Sequence, residues 1–524
     1  MNPDTFRNPI IPGFYPDPSI CRVGEDYYLV TSTFEWFPGV PIFHSRDLVH
    51  WQQIGHALHR PSQLNLDSVA PSSGIFAATI RYHDGLFYVV TTLSDAQHKR
   101  RNFIVTASDP AGPWSDPYVL DDAPGIDPSL FFEDGRAWYA GNRTPGGEDH
   151  RHTSRREIWL QELDLTTMQL TGPKIVLWKG MTQGEGVPEA PHIYHIGDYY
   201  YLLVAEGGTF HEHCVTLARS RHLEGPYEDC PNNPILTHRH LGLDYPISNV
   251  GHADLIQTQT GEWWMVLLGS RPYGGYFYNL GRETWLVPVR WEQDWLVVSP
   301  GTGRVEWQYP RPNLPLHRFP AAPACDHFDK PELALIWNFL RTPREAFWSL
   351  HEKPGSLRLK LGAGRLTQHV NARLIARRQQ HISFAARAAM HFQPAAPNEW
   401  AGLALVQNDR FHFRLVCGQN SQGIAIICLI QCEDGQETTR VSHHLPDYTG
   451  TLYWKVEAHG QAYNFAYALT PEAWITLAAE VDGRVLSTPR AGGFTGAYIG
   501  MFVESEDQPS TSVADFDWFE YYGL

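Results

Sequence analysis

The chain has 524 residues, well above the roughly 100–200 residues of one ordinary domain, so two or three domains are expected. Charged residues make up 19% of the sequence and aromatic residues 13%, a composition that excludes a disordered chain. The net charge of −16 gives no overall field that would attract nucleic acid or an anionic membrane, and neutral or cationic ligands fit better.

The beginning of the chain carries no targeting signal that we can identify. Met1–Phe14 contains no apolar run of signal-peptide length, and no stretch of about 18 apolar residues occurs anywhere. The seven cysteines show no CxxC spacing, which favours neither a zinc site nor a disulfide framework. We therefore expect a soluble, cytoplasmic protein with no membrane partner and no nucleic-acid partner.

A short pattern recurs five times in about the first 300 residues: an acidic or glycine-containing turn, paired aromatic or apolar residues, and an aliphatic run. The copies begin at Gly24, His83, Glu133, Gly197 and Thr260. Each copy is typical of a β-hairpin, and a further β-prone run follows each one. Units of 50 to 63 residues with three or four strands predict an all-β fold, a five-bladed β-propeller. A large irregular β-sandwich is the alternative.

Equivalent positions in these units carry chemically distinctive residues. We counted back ten residues from the hydrophobic pair of each hairpin, and eleven in the last copy. The residues at these positions are Asp17, Ala77, Asp127, Glu189 and His252. The first strand of a propeller blade faces the central channel. The spacing therefore predicts three carboxylates and a histidine around one channel mouth.

The local sequence supports this alignment. Each acid has a proline beside it, as in Asp17-Pro18, and a proline restricts the backbone and helps to aim a carboxylate. A single Asp-Pro-Ser is more typical of a turn, but repetition at one register position favours a functional set. Glu185 competes with Glu189, although its glycine neighbours are more typical of a loop.

Clustered carboxylates in an aromatic-rich protein indicate glycoside hydrolysis. Cleavage of an acetal needs a proton on the leaving oxygen and an activated water or a nucleophile. An inverting enzyme holds its two carboxyl groups roughly 6.5–9.5 Å apart, and a retaining enzyme about 5–5.5 Å apart. A third carboxylate can keep the acid protonated near neutral pH by like-charge repulsion.

Longer stretches of the sequence closely resemble β-xylosidases of glycoside hydrolase family 43. These stretches are Asn8–Ile10, Gly13–Ser19, Thr31–Val40, Glu189–His192, Ala205–Thr209, Gly281–Thr284 and Ala514–Phe519. The resemblance covers essentially the whole chain. It implies a five-bladed propeller followed by a concanavalin-like β-sandwich, and an inverting mechanism.

The resemblance also implies roles for individual residues. Asp17 would be the general base that activates water, Asp127 would tune the pKa of the acid and orient it, and Glu189 would be the general acid. Arg282 would bind a sugar hydroxyl and contact the base. Further residues would shape the pocket for the sugar: Phe34, Phe76, Ala77 and Thr209.

One position departs from the family pattern. Where the family usually has Gly-Ile-Trp-Ala-Pro, this chain has Gly74-Ile75-Phe76-Ala77-Ala78. A phenylalanine is smaller than the tryptophan that it replaces and loosens one wall of the pocket. The preference between xylose and arabinofuranose therefore stays open.

Two histidine features suggest further sites. No cofactor is expected for catalysis, but in related propellers an axial histidine lies near a buried calcium ion, which makes His252 a candidate for a structural calcium site. A lone histidine is a poor calcium ligand, so hydrogen bonding to a carboxylate is the alternative. His211 and His213 are expected on one strand face, at the surface or lining a subsite.

The resemblance also implies that a dimer or tetramer is common, and no surface signal chooses between them.

The C-terminal part of the chain has a different organisation. Five prolines between Pro310 and Pro323 predict a linker over residues 310–324, between a propeller at 1–309 and a sandwich at 325–524. Ten strand-like runs follow, separated by turn signals such as Glu433-Asp434-Gly435. In the resembled enzymes the sandwich lends a loop to the rim of the active site, and the loop around Phe494 is the candidate here.

We expect an exo-acting, inverting hydrolase that releases D-xylose from the non-reducing ends of short β-1,4-xylo-oligosaccharides. An α-L-arabinofuranosidase, or one pocket with both activities on arabinose-substituted small substrates, is the close alternative. A non-catalytic carbohydrate-binding propeller and a retaining glycosidase acting on fructosyl substrates are the remaining hypotheses.

Overall fold

Five antiparallel sheets follow one another along the first part of the chain and form the blades of a propeller. A computed structural model describes residues 4–145, 155–181, 186–446 and 448–524. Within these residues, the first blade contains the strands Ser19–Val23, Asp26–Val30, Gly39–Ser45 and Gln52–Leu58, and the second contains Gly74–Ile75, Thr79–His83, Leu86–Ser94, Arg100–Ala107 and Tyr118–Leu120. The third blade contains Ser129–Glu133, Arg136–Arg143, Glu157–Asp164 and Gln169–Trp178, and the fourth contains Glu189–Ile196, Tyr199–Glu206, Cys214–Ser220, Glu228–Asp229 and Leu236–Thr237. The fifth blade contains Ser248–Gln257, Trp263–Ser270, Glu283–Glu292 and Trp295–Val298.

The predicted hairpins are the hairpins of the structure. Val23 pairs with Asp26 across the first turn, and Glu133 pairs with Arg136 across the third. The inner strands contact the next blade in sequence, and the fifth blade returns to the first. The five-bladed arrangement predicted from the repeat is therefore confirmed.

The two ends of the propeller are joined without a covalent link. Thr5–Arg7 pairs with Gln308–Pro310, and the Asn8 side chain donates a hydrogen bond to the carbonyl oxygen of Leu286 at 2.9 Å. The beginning of the chain thus fastens onto the fifth blade. This closure holds the ring against opening between its first and last blades.

Many of the aromatic residues build this framework. The fully buried aromatic side chains in the strands of the blades include Tyr27, Tyr139, Trp159, Tyr201 and Trp285. Burying each of them contributes roughly 150–250 Å² of apolar surface to the core. The unusual aromatic content of the sequence is thus mainly structural.

The C-terminal part forms a sandwich of two eight-stranded sheets. The first sheet comprises Cys325–Asp326, Trp348–Ser349, Leu357–Lys360, Val513–Gly523, Ser383–Phe392, Thr451–His459, Ala462–Ala468 and Ile475–Asp482. The second comprises Gln436–Leu445, Ala425–Glu433, Phe411–Gln419, Trp400–Asn408, Tyr498–Glu504, Leu374–Arg378, Asn338–Leu340 and the propeller segment Trp36–Phe37. Helical turns occur at Arg239–Leu241, Gly483–Leu486 and Thr488–Ala491. Over the residues described, no helix has the length and apolarity needed to cross a membrane.

The segment between the two folds has no strand between Pro310 and Cys325. The backbone amide of Asn313 donates to the carboxylate of Glu262, and the amide of His317 donates to Asp47. The chain therefore passes from the fifth blade to the first before it enters the sandwich.

The two folds share strands and aromatic contacts beside the first blade. Trp36–Phe37 pairs with Asn338–Leu340, so a propeller segment completes a sheet of the sandwich. The ring of Trp36 stacks on Tyr498 with centroids 3.5 Å apart. Arg378 donates to the carbonyl oxygen of Phe14 at 2.7 Å. These contacts hold the sandwich beside the channel mouth.

Candidate active site

A pocket of about 160 Å³ opens at one end of the propeller channel. Its lining residues are Asp17, Phe34, Phe76, Ala77, Arg100, Ile126, Asp127, Glu189, Thr209, His252, Arg282 and Phe494. The five register positions of the sequence repeat all lie in this lining, together with every side chain for which the resemblance implied a pocket role. The sequence repeat therefore brings residues that are far apart in the chain to one place.

The backbone at the acids has a conformation that the sequence did not reveal. Asp17 and Asp127 have φ angles of 55° and 52°, in the left-handed region, and His252 has a φ of 48°. Asp and His are among the non-glycine residues that adopt this region most readily. Each aspartate stands two residues before an inner strand, so this turn sets the direction of the carboxylate before regular pairing begins.

Asp17 is held as an ionised carboxylate. It is only 3% exposed, and burial opposes its charge. Arg282, His252 and Ser32 together outweigh burial. Arg282 Nη1 donates to Oδ1 at 2.6 Å, and the Ser32 hydroxyl donates to Oδ2 at 2.6 Å. The pKa of Asp17 therefore lies below its ordinary value of 3.8. The same Nη1 donates to the Thr209 hydroxyl at 3.0 Å, which fixes the guanidinium between the carboxylate and the opposite wall.

Glu189 is poised to carry a proton near neutral pH. Burial and the charge of Asp17 raise its pKa from 4.5 to about 7. Burial, with the charges of Glu189 and Asp17, raises the pKa of Asp127 well above its ordinary value. Asp127 and Glu189 consequently titrate as a pair. The pocket holds one ionised carboxylate beside two carboxyl groups whose pKa values are raised.

Three phenylalanines form the apolar wall of the pocket. The ring of Phe34 lies 5.5 Å from that of Phe76 and 5.8 Å from that of Phe494. Arg282 lies over the faces of Phe34 and Phe494, at 5.5 and 5.9 Å from their centroids. Phe494 belongs to the sandwich, as expected from the resemblance, so the second domain contributes one wall.

Two pocket residues were missed at the sequence level. Arg100 lies in a strand of the second blade, and its charge lowers the pKa of both Glu189 and Asp127. In the sequence it belongs to the basic run Lys99-Arg100-Arg101, which looks like a solvated surface. Ile126 directly precedes Asp127, and its position there was the available signal. Glu185, the alternative to Glu189, lies outside the described residues.

His252 lies beneath the base. Its Nδ1 is 3.7 Å from Oδ1 of Asp17, and burial lowers its pKa. Calcium prefers oxygen ligands, but the carboxylate nearest to His252 is already paired with Arg282. Over the described ranges, no group of three or more His, Cys, Asp or Glu side chains could hold a metal ion. The side chains around His252 therefore do not fit a calcium ion held by protein ligands.

The expectation for His213 was wrong. The residue precedes the strand Cys214–Ser220 and is 1% exposed, so it neither lies on a strand face nor reaches the surface. Its Nδ1 lies 3.0 Å from the carbonyl oxygen of Asn249. Its ring occupies the space beside Gly251, because a Cβ on Gly251 would lie only 2.4 Å from the His213 ring. His213 thus packs the fourth blade against the fifth, next to the pocket floor.

A buried ion pair links the inner strands further along the channel. Arg81 Nη1 lies 2.8 Å from Oδ2 of Asp254, and Arg81 Nη2 lies 2.8 Å from Nδ1 of His192. Ser19 and Tyr194 donate their hydroxyl protons to Asp254 at 2.7 and 2.5 Å. Side chains from four blades meet in this network, which fixes the inner strands that carry the pocket residues.

Comparison with known proteins gives consistent matches over the whole chain. Residues 6–296 match the profile "Glycosyl hydrolases family 43", and residues 325–522 match "Beta xylosidase C-terminal Concanavalin A-like domain". The chain is 44% identical over 522 residues to a xylosidase/arabinosidase of Butyrivibrio fibrisolvens, covering 98% of both chains. It is 42% identical over 519 residues to a non-reducing end α-L-arabinofuranosidase of Bacteroides ovatus, covering 99% of this chain and 94% of the other. A crystal structure of xylan β-1,4-xylosidase from Bacillus halodurans C-125 superposes with a TM-score of 0.93 at 37% identity, covering 98% and 99% of the two chains.

Proposed function

The chain belongs to glycoside hydrolase family 43 and is a glycoside hydrolase, and from this premise we propose that it is an exo-acting, inverting β-xylosidase. It releases D-xylose from the non-reducing ends of short β-1,4-xylo-oligosaccharides. One observation carries the proposal: a small pocket holds an ionised Asp17 and a Glu189 whose pKa is about 7.

The two protonation states divide the chemistry. Glu189 donates its proton to the glycosidic oxygen, so the leaving sugar departs as an alcohol. Asp17 accepts a proton from a water molecule that attacks the anomeric carbon from the opposite face, which inverts the configuration. Arg282 keeps Asp17 ionised and oriented before the reaction, and its contact with Thr209 holds it in place.

Asp127 supports the acid. Its position beside Glu189 adds a third carboxyl group to a buried site, and the charge of Glu189 contributes to its raised pKa. A carboxyl group that stays protonated can donate a hydrogen bond within the site, which orients a neighbouring group. We therefore assign Asp127 to orienting Glu189, while the charge of Asp17 is the main carboxylate contribution to the pKa of Glu189.

The shape of the pocket supports cleavage at chain ends. The cavity of about 160 Å³ has the size of a single sugar ring, and Phe494 covers one side of it. A continuous polysaccharide does not fit into a cavity with room for only one sugar ring. The substrate therefore enters with its non-reducing end, and the scissile bond lies at the pocket mouth.

An α-L-arabinofuranosidase activity of the same pocket is the second candidate. Phe76 provides a smaller wall than the tryptophan usual at this position, and the Bacteroides ovatus relative is named an arabinofuranosidase. A looser wall can accept the furanose ring without a change in the catalytic groups.

The decisive assay compares wild type with Asp17→Ala and Glu189→Ala on 4-nitrophenyl β-D-xyloside and 4-nitrophenyl α-L-arabinofuranoside. We expect wild type to turn over the xyloside and Asp17→Ala to lose at least about a hundredfold in rate. Glu189→Ala should also lose activity, but less, because 4-nitrophenolate needs little protonation to leave. Unchanged activity in both variants would refute the proposal. The ratio of the two wild-type activities decides between the candidate substrates.

A second measurement tests the stereochemistry and the exo action. With xylobiose and xylotriose, proton NMR should show α-xylose as the first product. Initial formation of β-xylose would indicate a retaining enzyme. Tight binding of xylotriose without any release of reducing ends would indicate a carbohydrate-binding protein instead.

A further inference from the structure

A buried carboxyl group lies directly behind the aromatic wall of the pocket. Glu35 follows Phe34 in the chain and is 1% exposed, and it does not line the pocket. Its Oε2 accepts a hydrogen bond from the backbone amide of Ser72 at 3.0 Å. Among the described residues, its Oε1 has no hydrogen-bond partner. A buried acid with half of its polar surface unpaired costs stability and needs an explanation beyond packing.

The residue bound by Glu35 contacts the sandwich. The hydroxyl oxygen of Ser72 accepts a hydrogen bond from the backbone amide of Phe494 at 2.8 Å. The approach is close, because a Cβ on Gly493 would lie 2.2 Å from the Ser72 hydroxyl oxygen. Glu35, Ser72 and Phe494 thus form a chain of two hydrogen bonds from the propeller to the wall contributed by the second domain.

The same segment carries a second wall. Phe34 and Ile75 exchange backbone hydrogen bonds, at 2.8 and 3.0 Å, three residues after Ser72. A Cβ on Gly74 would lie 2.2 Å from the carbonyl oxygen of Phe34, so the two strands meet without room for a side chain there. Phe76 follows immediately. The segment 72–76 is therefore held at one end by Glu35 and near the other by Phe34.

We propose that Glu35 is a positioning residue that aligns the three phenylalanine walls of the pocket through Ser72. It touches no sugar, but it sets the affinity of the pocket for the sugar ring. The identity of that sugar rests on the proposed function, whereas the hydrogen-bond chain does not.

The charges around Glu35 are consistent with a neutral acid. The backbone amide of Arg341 donates to the carbonyl oxygen of Glu35 at 2.8 Å, while its guanidinium pairs with Asp409 at 2.5 Å. The charge of Arg341 lowers the pKa of Glu35 and that of Asp409 raises it. Glu35 in turn raises the pKa of the Tyr498 phenol. Burial raises the pKa of Glu35 to about 8. A protonated carboxyl group still accepts the Ser72 amide, so the alignment persists at neutral pH.

The kinetic test compares Glu35→Ala and Glu35→Gln with wild type on 4-nitrophenyl β-D-xyloside. We expect alanine to raise KM roughly tenfold, with kcat within about threefold, because the walls bind ground state and transition state alike. Glutamine keeps the acceptor for Ser72 and should restore KM to within about threefold. Unchanged KM in the alanine variant, or no rescue by glutamine, overturns the proposal.

A matched control separates this role from general loss of a buried acid. Glu399 is 4% exposed, lies in the sandwich and does not line the pocket. It accepts the backbone amide of Ala395 at 2.7 Å and the Ser510 hydroxyl at 2.6 Å. Glu399→Ala should lower the unfolding temperature and leave KM unchanged. An equal rise of KM in the Glu399 and Glu35 variants overturns the proposal. If Glu35→Ala does not fold, Ser72→Ala removes the hydroxyl acceptor alone and is expected to raise KM in the same way.

A test without substrate distinguishes this inference from the function. Hydrogen–deuterium exchange of the peptide that contains Phe494 should accelerate in Glu35→Ala and in Ser72→Ala, and stay at the wild-type rate in Glu35→Gln. This result is expected even if the protein hydrolyses no pentoside. An unchanged exchange rate in both alanine variants overturns the proposal.

Discussion

The substitution Arg282→Met removes the cation that keeps the base ionised. Arg282 is 5% exposed, and methionine preserves much of its apolar contact with Phe34 and Phe494 while deleting its charge. Asp17, itself buried, then loses its closest counter-charge. His252 also lowers the pKa of Asp17, but less than Arg282 does, and burial lowers the pKa of His252 itself.

The size of the effect follows from the contact. Nη1 and Oδ1 are 2.6 Å apart. The charge centres are therefore about 4 Å apart, and two unit charges at that separation interact by about 4 kcal/mol at an effective dielectric constant of about 20. At about 1.4 kcal/mol per pKa unit, this energy corresponds to a pKa shift of about three units. That is the upper end of the usual shift of about 1–3 units for a carboxyl group beside an arginine. The pKa of Asp17 should rise by a shift of this size.

The assay is the pH dependence of kcat/KM for an aryl xyloside, which reports the free enzyme. Since the base must be ionised, the acid limb of the profile should move to higher pH by about 1–3 units. If Arg282 also binds the sugar, losing that contact would lower kcat/KM at every pH. This effect is distinguishable from the displacement of the acid limb. A lowered profile whose acid limb stays at the wild-type pH would refute the reasoning.

A buried ion pair elsewhere provides the control. The side chain of Arg414 is 2% exposed and pairs with Glu504 inside the sandwich. Arg414→Met removes a cation of similar burial and should lower stability, because it leaves a buried carboxylate unpaired. Its pH profile should match that of wild type. A displaced acid limb in this variant would mean that the shift does not depend on Asp17.

Four further predictions concern three other side chains of the pocket. Glu189→Gln should reduce xylobiose hydrolysis by about 10²–10⁴-fold and affect 2,4-dinitrophenyl xyloside much less, because that leaving group needs no proton; equal losses on both substrates would contradict the role as acid. The raised pKa of Glu189 makes wild type less stable as the pH rises from 4.5 to about 7. The free energy of unfolding of Glu189→Gln, measured with denaturant, should therefore exceed that of wild type at pH 8 by on the order of 3 kcal/mol. The two proteins should not differ near pH 4. Arg100→Met should move the basic limb of kcat/KM to higher pH, since Arg100 lowers the pKa of Glu189, and a limb that moves to lower pH would refute this. Phe76→Trp should raise the ratio of xyloside to arabinofuranoside kcat/KM about tenfold by narrowing the pocket, and equal changes on both substrates would speak against a specificity role.

The propeller was predictable because its hairpins are local. Each turn and its flanking strands lie within about 20 residues, so turn residues and β-prone runs specify them without long-range information. The strand Gln436–Leu445 is not predicted by its own residues, although it follows the turn Glu433-Asp434-Gly435. It lies at a sheet edge and is exposed along most of its length, so its sequence carries no apolar alternation. Edge strands of this kind are defined by their neighbour more than by their own residues.

The residues that share a register follow from the repeat in the sequence alone. A repeat with a fixed number of residues between hairpin and inner strand places Asp17, Asp127 and Glu189 equivalently in the first, third and fourth blades, since each blade is built by the same local rules. The identity of the five positions around the channel therefore needed no coordinates.

Only the tertiary structure decided what surrounds those positions. The position of Arg100 and the hydrogen-bond chain from Glu35 through Ser72 to Phe494 depend on contacts between segments that have no repeat relation. Ser72 and Phe494, for example, are 422 residues apart in the sequence. The protonation states of the carboxyl groups depend on burial and on charges a few ångströms away, which sequence spacing does not contain. The physical reason is the same in both cases: register is set locally along the chain, whereas electrostatics and wall alignment are set by the distances between elements after they pack.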